Sequence, residues 1–263
     1  MSGYESLRWE PDGPVVRITL DRPHKKNAMS WTMFEEIGAV FRRAADDDDV
    51  RCVVLTGAGD AFCSGADLSD PANLVSGRAD ADERMATINE IALSVFACPK
   101  PTIARVAGIA AGAGCNLALG CDLVVAGRDA AFAELFVKRG LVVDFGGLWI
   151  LSRALPLAKA KELALLGDTV DAAEAHRIGL VNRLCDNIDE LDRVVAELAG
   201  RLAAAVPDAV RAIKAGLNDA SARSLPENLA VEAEDQAARL TSPDTIAALA
   251  QWLQRRAEGR AAP

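Results

Sequence analysis

The stretch PTIARVAGIAAGAGCNLALG, residues 101–120, runs from a short apolar segment through closely spaced glycines into residues that favour a helix. RCVVLTG, at residues 51–57, is a second apolar segment, and it leads into the glycine-rich turn AGDAFCSGADL at 58–68. Short apolar runs bounded by glycine are typical of buried strands, and strands that alternate with helices favour parallel βαβ units. The order of strand, glycine turn and helix therefore occurs twice and predicts an α/β core.

The residues on either side extend this pattern. Residues 15–20 alternate between apolar and polar positions, as on a half-buried strand, and the next predicted helix has Ser30 or Thr32 as its N-cap. Residues 81–98 show helical spacing, and the chain from 157 to 256 reads as successive helices rich in alanine and leucine. No low-complexity linker divides these parts, so we predict one α/β core with a helical C-terminal region. Such a tail needs a surface to cover, which favours a homo-oligomer.

Composition excludes several classes of protein. The chain has 263 residues, of which 51% are hydrophobic and 25% charged, so disordered and fibrous proteins are excluded. The net charge of −9 argues against nucleic acid as a partner, because phosphate backbones bind positive surfaces. Six cysteines without paired ligand spacing, and two histidines, predict no metal site. Without an apolar signal segment or an uncharged run of about 18 residues, we expect a soluble, cytoplasmic protein with no membrane partner.

Glycine turns between a strand and a helix present backbone N–H groups where the helix dipole adds positive potential. Phosphate-binding loops use such groups, but the chain lacks the Gly-Lys-Ser/Thr of a P-loop and has no GxGxxG at the expected place. The alternative is an oxyanion hole, in which two N–H donors meet a carbonyl oxygen whose negative charge grows in the transition state. Two separate turns that give one N–H each suit that arrangement.

Five segments in a fixed order make the pattern more specific than one glycine turn. They are DRPHKKNAMS (21–30), GDAFCSGADL (59–68), VAGIAAGAGCNLALGCDLVVA (106–126), GLVVDFGG (140–147) and AAEAHRIGLVN (172–182). Together they resemble the crotonase, or enoyl-CoA hydratase/isomerase, superfamily, over nearly the whole chain. The resemblance is closest to the enoyl-CoA isomerase branch.

This resemblance implies a crotonase-like ββα spiral core that binds acyl-CoA over residues 1–200, and a helical trimerisation region over residues 201–263. A homotrimer or a dimer of trimers is expected. It further implies an acyl-CoA thioester substrate whose carbonyl oxygen accepts hydrogen bonds from two backbone amides, which by motif position belong to Ala66 and Ala113. Each such donor is worth roughly 3 kcal/mol to an enolate-like transition state. Because CoA is part of the substrate, no cofactor is expected.

The acid–base residues depart from the hydratases of the family. Those enzymes carry two glutamates at positions that here hold Asn116 and Phe136. An amide cannot take up the proton of water, and a phenyl ring expels water. Asp144 stands where isomerases of the family often place their carboxylate, and one carboxylate suffices to move a proton from the α-carbon to the γ-carbon of a 3-enoyl-CoA. We therefore favour an enoyl-CoA isomerase that works through a thioester enolate.

Other interpretations stay open at this point. Asp144 would serve as an ordinary N-cap if a helix began near Gly146. Glu134 is a rival base, but on a helix it would face away from Phe136, so we expect it at the surface or in an interface. The chain would be an enoyl-CoA hydratase if Asp144 or a bound water replaced the missing glutamates, or a catalytically weak acyl-CoA-binding protein if its chemistry were lost.

The remaining site residues follow from the same resemblance. Lys25 is predicted to meet a phosphate of CoA, whereas the other CoA contacts use backbone and shape, at Ala28, Ala66, Asp67 and Leu68. The residues predicted to contact the acyl part of the substrate are Gly112, Ala113, Asn116, Phe136, Leu141 and Asp144.

Overall fold

The computed structural model describes residues 3–258, so residues 1–2 and 259–263, at the ends of the two predicted segments, lie outside the described residues. Its strands are β1 (Leu7–Asp12), β2 (Val15–Leu20), β3 (Cys52–Gly57), β4 (Thr102–Val106), β5 (Ile109–Ala111), β6 (Leu123–Gly127), β7 (Ala131–Ala133), β8 (Thr169–Asp171) and β9 (Arg183–Cys185). Its α-helices are α1 (Trp31–Asp46), α2 (Arg78–Phe96), α3 (Ala113–Leu119), α4 (Gly147–Ala154), α5 (Leu157–Leu166), α6 (Ala172–Ile178), α7 (Ile188–Ala204), α8 (Pro207–Asp219), α9 (Leu225–Leu240) and α10 (Pro243–Ala257).

The main sheet contains six strands in the order β1-β2-β3-β4-β6-β9. β1 is antiparallel to β2, and the later pairs in this sheet are parallel. Along β3, Val53 and Leu55 pack in one apolar cluster, while Cys52 and Val54 pack in another together with Leu191 of α7. Side chains of a strand alternate between faces, so this sheet is covered on both sides. The predicted α/β core with a parallel sheet is confirmed.

A second sheet, in the order β5-β7-β8, is built from strands of three residues each. The chain passes from β4 of the main sheet to β5 of the second sheet and then into α3, and β6 and β7 repeat this path before α4. The segment after β3 also passes from the main sheet to the second sheet, because Cys63 forms a parallel bridge with Ala110 of β5. This repeat is the ββα spiral that the resemblance implies.

The first glycine turn differs from the predicted order of strand, turn and helix. Residues 58–77 contain no α-helix, and α2 begins only at Arg78. A short 3₁₀ turn, Pro71–Asn73, is capped by the side chain of Asp70. This long loop supplies part of the wall of the cavity described below.

Local signals explain the helix boundaries. The Ser30 side chain accepts a hydrogen bond from Met33 N, so Ser30 rather than Thr32 is the N-cap of α1. Gly167 and Gly179 end α5 and α6 in the left-handed conformation that glycine tolerates best.

The C-terminal helices α7 to α10 make progressively less contact with the core. α7 packs on the main sheet, and the predicted boundary between residues 200 and 201 falls inside it. α8 is tied to the core by Lys214, whose Nζ donates to Asp122 at 2.8 Å and to the Lys100 carbonyl at 3.2 Å. α9 and α10 have no buried residue. None of the described helices is long and apolar enough to cross a membrane.

Candidate active site

A cavity of about 200 Å³ lies where the two glycine turns meet. α1 and α2 supply one wall, the loop after β3 a second, and the segment after β7 a third. The structure therefore brings together residues that are far apart in the sequence. The predicted site residues that line the cavity are Ala66, Leu68, Gly112, Ala113, Phe136, Leu141 and Asp144.

The backbone amides of Ala66 and Ala113 lie on neighbouring segments at this cavity. Ala111 N donates to Cys63 O at 2.9 Å, and Cys63 is bridged in parallel with Ala110, so both segments leave this contact in the same direction. Ala66 and Ala113 each lie three residues beyond the bridge. Among the described residues, neither amide N–H has an acceptor in the protein. Two unpaired N–H groups at one cavity are what an oxyanion hole requires.

Glycine is required just before each of these amides. Gly65 has a φ of +97° and Gly112 a φ of +54°, both in the region that side chains disfavour. A Cβ on Gly65 would lie 2.8 Å from the Ala111 carbonyl oxygen and 3.8 Å from Ala113 N. The two turns are therefore in contact, and the close approach leaves no space for a side chain at residue 65.

Asp144 lines the same cavity, on a loop with an unusual backbone. Phe145 and Gly146 follow it with φ values of +51° and +80°, and α4 begins at Gly147. The N-cap of α4 is Gly146, with no side-chain hydrogen bond, so the structure does not show Asp144 as the cap. Asp144 Oδ1 is buried and has no hydrogen-bond partner among the described residues. Burial raises the pKa of Asp144 to about 6. A carboxyl group with these properties is suited to take up a proton near neutral pH.

Most of the side chains that line the cavity with Asp144 are apolar. Phe136 is 7% exposed, and Phe34 and Trp31 of α1, with Met85 and Ile88 of α2, complete the lining on that side. Apolar walls exclude water, and exclusion of water disfavours the ionised form of a carboxyl group. Residues brought together from distant parts of the chain thus explain the burial that raises the pKa of Asp144.

Asn116, predicted to contact the substrate, lies behind the cavity rather than in its lining. Its side chain is fully buried in the middle of α3, and Nδ2 donates to the Asp144 carbonyl oxygen at 2.9 Å. A Cβ on Gly147 would lie 2.4 Å from Asn116 Nδ2, so α4 packs directly against this amide. Asn116 therefore supports the Asp144 loop.

The prediction that Glu134 lies at the surface or in an interface is wrong. Glu134 is 3% exposed, and its Oε2 accepts a hydrogen bond from Asn116 Nδ2 at 3.4 Å. Burial raises the pKa of Glu134 to about 7, and the negative charge of Asp144 adds to the rise. The prediction assumed a helix here, but residue 134 directly follows β7, and no α-helix turns its side chain outward.

The residues predicted to hold CoA lie on adjoining loops. Leu68 lines the cavity with 56% of its surface exposed, whereas Lys25 does not line it and its Nζ donates to Ser69 Oγ at 2.9 Å. Lys25 is exposed at the surface beside this loop. The positive charge is therefore close to the cavity without facing into it.

Arg22 connects its own loop to the loop that contains Asp67, and the sequence motifs did not predict this connection. Its guanidinium pairs with Asp67 at 3.0 Å and also donates to the Ala28 carbonyl. Hydrogen bonds from Ser69 are the main cause that lowers the pKa of Asp67. The carboxylate of Asp67 and the carbonyl of Ala28 are thus engaged within the protein. An arginine in a loop with two lysines gives no sequence signal for this specific pairing.

Two arginines at the cavity were also missed. Arg84 of α2 lies 4.8 Å over the Trp31 ring, and it pairs with Asp80 at 2.7 Å. Arg139, in the 3₁₀ turn after Phe136, lines the cavity from the other side. Within residues 3–258, no group of three or more His, Cys, Asp or Glu side chains is arranged to hold a metal ion.

Comparison with known proteins gives a consistent picture. The family model described as enoyl-CoA hydratase/isomerase matches residues 10–258. The chain is 35% identical to a probable enoyl-CoA hydratase of Rhodobacter capsulatus over 257 residues, which is 96% of both chains. It is also 35% identical to the 1,2-epoxyphenylacetyl-CoA isomerase of Escherichia coli over 246 residues, covering 92% of this chain and 93% of that one.

A solved structure also resembles the chain. The crystal structure of a provisionally named enoyl-CoA hydratase from Thermobifida fusca YX, in complex with acetoacetyl-CoA, superposes with a TM-score of 0.82 at 36% identity. The match covers 89% of this chain and 94% of that chain.

Proposed function

The chain belongs to the enoyl-CoA hydratase/isomerase family, and on that premise we propose that it is an enoyl-CoA isomerase that moves a double bond in a CoA thioester. The observation that carries this proposal is that Asp144 is the one carboxyl group among the described residues that line the cavity. Isomerisation moves one proton between two carbons, so a single group that accepts and returns it is sufficient.

The reaction starts with proton removal. The Asp144 carboxylate takes a proton from the α-carbon of a 3-enoyl-CoA, and the electron pair of that C–H bond moves into the thioester. The resulting dienolate carries its negative charge mainly on the thioester oxygen, which accepts hydrogen bonds from the amides of Ala66 and Ala113. Donors that are already in place stabilise this charge without reorganisation, because the turns that hold them are fixed.

The reaction ends when Asp144 returns the proton to the γ-carbon and the double bond comes to lie between the α- and β-carbons. Apolar walls serve this step, because water in the cavity would exchange with the proton or add to the product. Phe136 occupies the position at which hydratases of the family carry a glutamate, and it lines the cavity. This favours transfer of one proton over the activation of water.

CoA thioester binding is supported by the Thermobifida fusca structure, which is a complex with acetoacetyl-CoA. In the present chain, the loop that contains Leu68 lines the cavity, and Lys25 is hydrogen-bonded to Ser69 of that loop. We propose that the Lys25 ammonium exchanges its hydrogen bond to Ser69 for an ion pair with a phosphate of CoA.

We also infer that the protein is a homotrimer, alone or as a dimer of trimers. Leu217 on α8 is 73% exposed and Leu225 on α9 is 70% exposed, and Trp252 of α10 is 44% exposed. Apolar side chains that are exposed on three successive helices mark a surface that another subunit covers.

Hydration of a 2-enoyl-CoA is the second candidate function. The relative from Rhodobacter capsulatus is named as a hydratase, and its identity to this chain equals that of the isomerase from Escherichia coli. A hydratase needs a group that activates water, and Asp144 would have to serve in that role as well.

The test is to incubate the purified protein separately with a 3-enoyl-CoA and with a 2-enoyl-CoA, and to follow the absorbance of the conjugated thioester. We expect the absorbance to rise with the 3-enoyl-CoA. Loss of absorbance from the 2-enoyl-CoA, with no rise from the other substrate, would identify a hydratase. Tight binding of either ester without any change in absorbance would identify a binding protein.

A further inference from the structure

Three buried side-chain oxygens close to the cavity have no hydrogen-bond partner among the described residues. They are Asn116 Oδ1, Glu134 Oε1 and Asp144 Oδ1. Buried polar atoms are usually paired, because an unpaired one loses its hydrogen bonds to water without replacing them. Asn116 hydrogen-bonds both to the Glu134 side chain and to the Asp144 backbone, so the three residues are linked through its amide.

Asn116 connects the two acidic residues of this cluster. Its Nδ2 donates to Glu134 Oε2 at 3.4 Å and to the Asp144 carbonyl at 2.9 Å. One amide nitrogen carries two hydrogens, so it can make both bonds at once. Because Gly147 packs against the same amide, Asn116 has little freedom to move. A change at Glu134 is therefore transmitted to the loop that carries Asp144.

Few other charges face Glu134. Cys115 of α3 lies beside it, and burial holds the pKa of that thiol well above its ordinary value, so the thiol stays neutral. Asp168, after α5, lines a small cavity with Glu134, but its side chain is 71% exposed and pairs with Lys138 at 3.0 Å. Asp144 is thus the charged group that acts on Glu134 within a poorly solvated space.

We propose that Glu134 is a positioning residue for the isomerase: a second carboxyl group that holds the Asp144 loop through Asn116 and, when ionised, makes Asp144 a stronger base. This inference rests on the proposed function. Glu134 touches neither the cavity nor the reacting atoms, so its effect passes through Asp144.

The coupling is reciprocal. The charge of Asp144 raises the pKa of Glu134, so ionised Glu134 must raise the affinity of Asp144 for a proton by the same factor. The two carboxyl groups then lose their protons as a pair, above the pH at which an isolated Asp or Glu does so. When Asp144 takes the proton from the substrate, negative charge moves away from Glu134, which favours proton transfer.

The experiment combines two readouts. The carboxyl carbons of Asp and Glu are labelled with ¹³C and titrated by NMR from about pH 4 to pH 9, which spans the ordinary and raised pKa values of both groups. The signal that disappears in Glu134→Gln identifies Glu134. The pH dependence of kcat for the 3-enoyl-CoA is then measured for the wild type and for Glu134→Gln. The control is Asp168→Asn, which removes an exposed carboxylate on the other side of Glu134.

We expect Glu134 to titrate near pH 7 in the wild type and in Asp168→Asn, and at lower pH in Asp144→Asn. In Glu134→Gln, kcat should match the wild type near pH 6 and be lower at pH 8, by up to about threefold for a coupling of half a pKa unit. Glu134→Asp keeps the charge and should retain the kcat of the wild type at pH 8, which separates loss of charge from damage to packing.

Two results would overturn the inference: a Glu134 titration that does not move in Asp144→Asn, or a wild-type pH profile retained in Glu134→Gln. If the NMR coupling is present and the 3-enoyl-CoA is not converted, the proposed function fails while the coupled pair stands. If conversion occurs without coupling, the isomerase proposal stands and Glu134 has no part in it.

Discussion

Two carboxyl groups with raised pKa values lie within one small region, yet their surroundings differ. Asp144 reaches the cavity, where apolar walls raise its pKa to about 6. Glu134 is enclosed behind it, and its pKa of about 7 comes first from burial and then from the charge of Asp144. Both groups are carboxyl groups, so their different roles follow from their positions: Asp144 lies at the cavity and Glu134 lies behind it.

Glu134 gives a prediction about stability. Burial raises its pKa from 4.5 to about 7 in the folded chain. Between pH 4.5 and pH 7, the folded chain therefore still binds a proton that the unfolded chain has released. Stability attributable to this group is present below about pH 4.5 and is lost as the pH rises to 7. At about 1.4 kcal/mol per pH unit, ionised Glu134 costs the folded protein roughly 3 kcal/mol. Glu134→Gln should therefore gain stability relative to the wild type between pH 4.5 and pH 8.

Urea unfolding at these two pH values measures the effect. The difference in unfolding free energy between Glu134→Gln and the wild type should grow by roughly 2 to 3 kcal/mol with pH. Asp168→Asn should show little change, because Asp168 is exposed. An equal difference at both pH values would show that Glu134 has an ordinary pKa in the folded chain.

The sequence predicted the position of Asp144 but not the residues that hold it in place. Family motifs placed Asp144, Ala66 and Ala113 by position, and the structure brings all three to one cavity. The role of Asn116 depends on a contact with a carbonyl 28 residues away, which spacing along the chain does not reveal. Glu134 was misplaced because a helical period was applied to residues that leave a strand.

At the scale of elements, the glycine turns fix the two amides. Gly65→Ala is expected to disturb the Ala66 amide, because its Cβ would lie 2.8 Å from the Ala111 carbonyl oxygen and its φ of +97° is strained for alanine. Loss of one oxyanion donor costs about 10²–10³ in kcat. Isomerase kinetics should show a fall of this size with little change in KM.

A matched glycine provides the control. Gly13, in the turn between β1 and β2, has a φ of +57°, and a Cβ there would meet nothing within 4 Å. Gly13→Ala should introduce the same kind of backbone strain without a steric clash, and it should leave kcat unchanged. If Gly65→Ala kept the activity of the wild type, the Ala66 amide would have no role in stabilising charge.

Long elements with a clear period were predictable, and short ones were not. β2 matches the predicted residues 15–20, and α1 begins after the predicted N-cap Ser30. β5, β7 and β8 are too short to show a period of two, and their pairing is set by the spiral rather than by their own sequence. α2 begins three residues before the predicted residue 81, because its first turn is charged and carries no apolar signal.

At the scale of the whole molecule, α8–α10 leave apolar side chains exposed on the single chain. A homotrimer or a dimer of trimers would cover them and should have a mass near three or six times the 27.7 kDa of one chain, measured by light scattering. Leu217→Glu should shift the protein toward smaller species, because a charge would be buried at the interface. A wild-type protein with the mass of one chain would contradict the trimer.

The proposed isomerase reaction depends on one carboxyl group that moves a proton in a cavity whose amides hold the thioester oxygen. Its most direct test is conversion of a 3-enoyl-CoA by Asp144→Asn, with binding of a saturated acyl-CoA measured in parallel and with Asp129→Asn, in the exposed turn after β6, as the control. We predict that kcat falls by about a hundredfold or more, while acyl-CoA affinity and the activity of the control stay close to the wild type. Turnover by Asp144→Asn at the rate of the wild type would contradict the account.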